Sequence, residues 1–248
     1  MSNQAQQRAL TTLAKYKDIL LNGSAVQKAQ AIKNIANSIT AIDSFYGGAS
    51  SELAAQLVLD SLGGDIKTAV SDRIEYEQIL RNLKYAASHV YKAGATDEDF
   101  DAFASIVRGH VNEYMTKRAF SSIKVNSEIY QHSTGNRVKY MRVPMGDETC
   151  AFCIMLASRG PAYSADTVLS HIHDGCDCEA VPTLTGEIEG YSYTPYRAMW
   201  DDAVEKAKEE WGDEEFFYDY DGPKRNGYSI TVGTRIALSK LRKMQMVS

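Results

Sequence analysis

Apolar residues recur every three and four positions through most of the first 120 residues, the period of helices that bury one side. Leu10, Leu13, Ala14 and Leu20 predict a helix over about 6–21, which Asn22 and Gly23 stop. Ser24 starts a second, with Ile32, Ile35, Ala36, Ile39 and Ile42 as its stripe, and Phe45-Tyr46-Gly47-Gly48 is expected to break it. A third, from Ser50 or Ser51, carries Leu53, Ala54, Leu57, Val58 and Leu62 before Gly63-Gly64. A long helix is expected over about 68–91, with Ile79, Leu83, Ala86, Ala87 and Val90 inward. Thr96-Asp97-Glu98-Asp99 has the form of a capping box with Asp in the Glu or Gln place, and Phe100, Phe103, Val107, Val111 and Tyr114 follow it. These stripes predict a helix-bundle core.

Near residue 120 the period changes. Ile123, Val125 and Ile129, then Ser133-Thr134-Gly135-Asn136, then 137–143 read as two short strands around a turn, the second ending at Pro144. Residues 145–195 are loop-rich. Thr194-Pro195 starts a helix with Tyr196, Met199, Trp200, Val204, Ala207 and Trp211 on its apolar side.

Charge is unevenly placed. The whole chain carries a net −5, which gives no general reason to bind nucleic acid. Residues 201–221 hold ten acids and two lysines, whereas 224–248 hold Lys224, Arg225, Arg235, Lys240, Arg242 and Lys243 and no acid. Two solvated faces that partly neutralise each other account for this. The other reading is a basic C-terminal helix for DNA or an acidic partner. No apolar run approaches the roughly 18 residues of a membrane span, and the first residues lack a secretory pattern, so a cytoplasmic protein with no membrane partner is expected.

All four cysteines lie between 150 and 178, a clustering that suits metal better than a disulfide framework. Cys150-Ala151-Phe152-Cys153 is a C-x2-C knuckle, and His171-Ile172-His173-Asp174-Gly175-Cys176-Asp177-Cys178 follows. Zinc takes four soft or borderline donors in a tetrahedron, and two sequence-local pairs supply them. Cys150 and Cys153 with two of His173, Cys176 and Cys178 complete such a site, and His171 is a weaker further option. The set Cys150, Cys153, His173 and Cys176 is preferred, with Cys178 close behind. The competing reading is four buried thiols without metal. Four protein ligands would close the coordination shell, so the zinc is read as structural and no catalytic residue is assigned. The order of the motif is wrong for a zinc deaminase, and H-E-x-x-H is absent. The fold class is therefore α+β and mainly helical: a helical domain over 1–120, a small zinc-stapled domain with short strands over 121–195, and C-terminal helices over 196–248.

Val143-Pro144, Thr149-Cys150-Ala151-Phe152-Cys153, Leu156-Ala157-Ser158-Arg159-Gly160-Pro161, Tyr163, His173 to Cys178 and Val181-Pro182 together resemble the zinc-motif region of phage minor capsid proteins. The resemblance is narrowest to the phage Mu F-type head morphogenesis family and its relatives in tailed phages of actinobacteria. The family's knuckle falls on Cys150 and Cys153, and its H-x2-C-x-C on His173, Cys176 and Cys178. The resemblance implies a non-enzymatic virion component that associates with portal and capsid proteins. It would sit in the capsid interior or at the portal vertex, after assembly in the host cytoplasm, with its basic end toward packaged DNA. The rivals are a zinc-dependent hydrolase or toxin-like effector, with Glu179 or Asp174 as general base, and a host zinc-ribbon adaptor for nucleic acid.

Overall fold

The computed structural model describes residues 1–146, 149–168, 178–211 and 231–245. They fall into two compact units, Met1–Asn136 and a second that takes in Arg137–Val168 and the described residues from 178 onward. Among the described residues the fold is mainly helical, with one two-stranded sheet. No described helix is long and apolar enough to cross a membrane.

The first unit contains α1 (Ser2–Ala14), α2 (Lys17–Asn22), α3 (Ala25–Ile42), α4 (Gly48–Leu62), α5 (Tyr76–Ala86), α6 (Ser88–Tyr91) and α7 (Asp97–Thr134). Reciprocal capping boxes start α3 and α7, Ser24 with Gln27 and Thr96 with Asp99. Most of the predicted stripe residues form the core, with Leu13, Ile35, Ile79, Val90 and Phe103 almost fully buried, whereas Ala14 and Leu53 are exposed. Burying each such side chain contributes about 1.5–3 kcal/mol. The Lys28 ammonium is buried too, and it donates to the carbonyls of Leu21 (3.2 Å) and Val90 (2.7 Å), tying two helix ends to α3.

Besides the split of the helix expected over 6–21 into α1 and α2, the structure departs from the sequence expectations at three places, and long-range polar contacts explain the first two. Phe45-Tyr46-Gly47-Gly48 does not break the chain. A π-helical turn over Asp43–Gly47 carries α3 directly into α4. Gly47 is required there because a β-carbon would stand 2.7 Å from Asp43 Oδ1 and 2.8 Å from Arg118 Cδ. Residues 68–75 are not helical, and α5 begins only at Tyr76. Their backbone is instead held by side chains. Asn126 accepts from the Ala69 amide (2.8 Å) and donates to the Ala69 carbonyl (2.7 Å). Arg118 donates to the Ser71 carbonyl (3.0 Å), Ser51 accepts from the Ser71 amide (2.7 Å), and Asp43 accepts from the Ile74 amide (3.0 Å). Arg118, Ser122 and Asn126 lie four residues apart, so one face of α7 presents all three.

The third departure is that residues 123–129 are not a strand. They continue α7 to Thr134. Ser122, Ile123, Asn126, Ser127 and Tyr130 are buried while Val125 is exposed, which is a helical and not an alternating pattern.

The second unit contains β1 (Lys139–Pro144), α8 (Ala151–Ala157), α9 (Ala165–Val168), β2 (Cys178–Thr183), α10 (Thr194–Trp211) and α11 (Val232–Gln245). The partner of β1 is therefore β2, antiparallel, and not the preceding segment. The register sets Lys139 opposite Thr183 and Pro144 opposite Cys178. On the other edge, Tyr140 and Tyr163 exchange backbone hydrogen bonds. Met141, Val143 and Val181 pack with Ile188, Tyr191 and Tyr193. The helices α10 and α11 pair through Ala207, Ala237, Trp200, Val204 and Ile236, and both pack on α8.

The Asp43–Arg118 pair (3.2 Å) is almost wholly buried. Burial pushes the Asp43 carboxyl above its ordinary range, against the pull of the Ile74 amide and Arg118. Removing the cation would leave an uncompensated buried carboxyl, so Arg118→Met should cost about 3–5 kcal/mol in urea unfolding. A loss below about 1 kcal/mol would show that the pair does not hold the π turn and the 68–75 segment in place.

Candidate metal centre

The strand register builds this site. Pairing Pro144 with Cys178 returns the chain to the end of β1, from which the segment carrying Cys150 departs. Cys150 caps the N-terminus of α8, and its Sγ accepts a hydrogen bond from the Cys153 amide at 3.3 Å. That is the knuckle geometry the C-x2-C spacing predicts, with a backbone N–H turned toward sulfur.

Cys150, Cys153 and Cys178 pack into one cluster. Cys153 and Cys178 are buried and Cys150 is half-buried, and none of the three is in a disulfide. Three of the five predicted ligands are thus brought together from two segments distant in sequence. His173 and Cys176 lie outside the described residues, as do His171 and Asp174. Among the described residues, no group of three or more His, Cys, Asp or Glu side chains is arranged to hold an ion. The donor chemistry of the cluster nevertheless fits zinc, since three soft sulfur donors are gathered and two are out of contact with water.

Arg142 is the residue that sequence reasoning missed. A charged residue in a short strand carries no expectation of burial. The structure buries it to 1% exposure. Nη1 donates to the Val168 carbonyl at 2.7 Å, and Nη2 lies 3.7 Å from Cys178 Sγ. Its position just upstream of the knuckle is the only sequence signal that could have marked it.

The loop after α8 frames the cluster. Tyr163 donates its hydroxyl to the Leu156 carbonyl (2.7 Å), and burial pushes its pKa up to about 12. Arg197 Nε donates to the Ser158 carbonyl (3.0 Å), fastening α10 to the same loop. Gly160 has φ +59°, and the Tyr193 ring covers it so closely that a β-carbon would stand 2.9 Å away. The tyrosines at 191 and 193 thus pack in the sheet cluster, and Tyr191 donates to the Arg142 carbonyl at 3.4 Å. Glu179, the general base of the hydrolase reading, occupies an exposed strand position.

At the C-terminal end, Gln245 donates to the Thr149 carbonyl, one residue before the knuckle. Lys240 is ion-paired with Glu210 across the two last helices, and Lys206 with Asp202 (2.8 Å). Arg235, Arg242 and Lys243 are exposed.

The chain belongs to the VG15 protein family, whose sequence model matches residues 1–203. Membership places it among phage proteins. The matched region takes in the whole first unit, the β1–β2 pair and the cysteines, and it ends within α10. No curated protein and no solved structure matches the chain.

Gly160→Ala should destabilise the second unit by about 1–3 kcal/mol, because a side chain there meets both the positive φ and the Tyr193 ring. Hydrogen exchange should accelerate over 151–163 and stay unchanged over 97–134. Unaltered protection in 151–163 would show that the ring yields without loss.

Proposed function

We propose that this protein is a non-enzymatic minor capsid protein of a tailed phage, portal-associated and active in head assembly, with a structural zinc in its second unit. The convergence of Cys150, Cys153 and Cys178 carries the reading. VG15 membership supports its phage part, and the motif resemblance to the Mu F-type family supports its finer part.

In this reading the three cysteines hold the ion, and His173 or Cys176 completes the shell. A zinc bound there supplies a cross-link between two loop-bound segments. Such a link would pin the short elements around it, β1 and β2 of six residues each and α8 of seven. The remaining work falls to the chain's own contacts. Arg197 and Gln245 tie the last helices to the loops on either side of α8, and Tyr163 locks the loop that follows it. The helical first unit offers long faces for a portal or capsid partner.

Metal analysis of the purified protein should give one zinc per chain. Cys153→Ser should abolish it and expose 140–195 to protease while the first unit stays helical. Mass spectrometry of purified particles should find the protein with the portal at low copy number. A folded, metal-free protein would overturn the zinc, absence from particles would overturn the capsid role, and a spectrum of three protein ligands plus water would favour the hydrolase.

The basic end is read as facing packaged DNA through Arg235, Lys240, Arg242 and Lys243. Replacing those four with Gln should weaken nonspecific DNA binding at low salt and flatten its salt dependence by roughly one unit of slope per lost phosphate contact. Unchanged affinity would remove DNA from the list of partners.

A further inference from the structure

We infer that Arg142 is a positioning residue of the sulfur site, holding Cys178 in the cluster and supplying the buried positive charge that offsets metal-bound thiolates. This inference rests on the zinc reading and deepens it.

A guanidinium removed from water is costly unless its N–H groups find partners and its charge finds a counterpart. Arg142 is 1% exposed, and among the described residues its fork reaches the Val168 carbonyl at 2.7 Å and Cys178 Sγ at 3.7 Å. The strand register makes that reach possible. Arg142 pairs with Ala180, two residues along β2 from Cys178. Its backbone is fastened as well, since its carbonyl accepts from Tyr191. The sulfur at Cys150 already accepts the Cys153 amide. The Cys150 sulfur thus receives a backbone N–H, and the Cys178 sulfur faces an N–H of a cation.

That arrangement matches what an anionic centre needs. A divalent ion bound by three thiolates carries net negative charge, which a dry interior penalises. A cation hydrogen-bonded to a ligand sulfur reduces the penalty and fixes the direction of the sulfur's lone pairs. Groups of this kind behind metal ligands change affinity by about 10–100-fold when removed. Charge alone would be met by any cation, but the fork geometry also links Cys178 to the end of α9, which a lysine reproduces only in part.

The test uses the full chain as wild type, Arg142→Gln, Arg142→Lys, Cys178→Ser and the two double variants. Transfer of zinc to a competing chelator gives relative affinity, and the cobalt-substituted proteins report the sulfur-to-metal charge-transfer band. Arg142→Gln should still take one metal per chain, hold it about 10–100-fold more weakly and shift the band. Arg142→Lys should recover part of the affinity. In the Cys178→Ser background either Arg142 change should add little, because the route through that sulfur is already gone. A folded Arg142→Gln with unchanged affinity and band, or losses that simply add in the double variants, would overturn the assignment. If Arg142→Gln does not fold, the Arg142→Lys pair of the cycle decides by the same criteria. A wild type that takes up no metal defeats the zinc reading and this inference together, whereas metal uptake that Arg142 does not influence defeats this inference alone.

Discussion

The antiparallel register that sets Pro144 opposite Cys178 is the constraint on which the second unit turns. It is the step that brings the far cysteine back to the knuckle. A slip of one residue would reverse the faces of β2 and carry Cys178 out of the cluster. The same register places Arg142 where its guanidinium meets both Cys178 and the end of α9. Two six-residue strands do not secure a register by themselves. Tyr163 on the outer edge of β1, and the packing of Met141, Val143 and Val181 with the tyrosines, share that task.

The first unit solves a different problem. Its apolar core is ample, and its distinctive feature is a polar interior where an extended segment passes between helices. The Asp43–Arg118 pair, Ser51, Ser122 and Asn126 replace the backbone hydrogen bonds that a helix over 68–75 would have made for itself. Each buried polar group must find a partner, so the arrangement is specific but intolerant of truncation. Asp43 shows the tension: one carboxyl oxygen serves Ile74 and Arg118, while Oδ1 is buried with no hydrogen-bond partner among the described residues.

These physical differences decided what could be read in advance. Helical stripes such as Ile32, Ile35, Ala36 and Ile39 were legible because a helix repeats its burial locally. The capping boxes at Ser24 and Thr96 were legible for the same reason. The π turn and the segment that follows α4 were not, because their determinants, Arg118 and Asn126, lie far along the chain. Ile123, Val125 and Ile129 suggested a strand by composition, yet their helix is fixed by neighbours that include two polar side chains, Ser122 and Asn126. At the site, the knuckle spacing singled out Cys150 and Cys153, and the second motif offered Cys178 beside the preferred Cys176; the structure gathers Cys150, Cys153 and Cys178. Arg142 was hidden because a charged residue is seldom fully buried without partners, and its partners, the Val168 carbonyl and the Cys178 sulfur, lie far along the chain.

The unequal charge of the last third is partly settled inside the molecule. Glu210 and Lys240 join the acidic helix to the basic one, and Lys206 is held by Asp202 within its own helix. Such exposed pairs contribute little stability, of order 0–1 kcal/mol each, so they are poor candidates for holding α10 and α11 together. The small apolar seam of Ala207, Ala237, Trp200, Val204 and Ile236 does that. The Glu210–Lys240 pair lowers the net positive charge that α11 presents. A partner attracted to this end therefore meets a smaller cationic surface than the sequence count suggests. In the DNA reading, binding there would be salt-sensitive and unspecific.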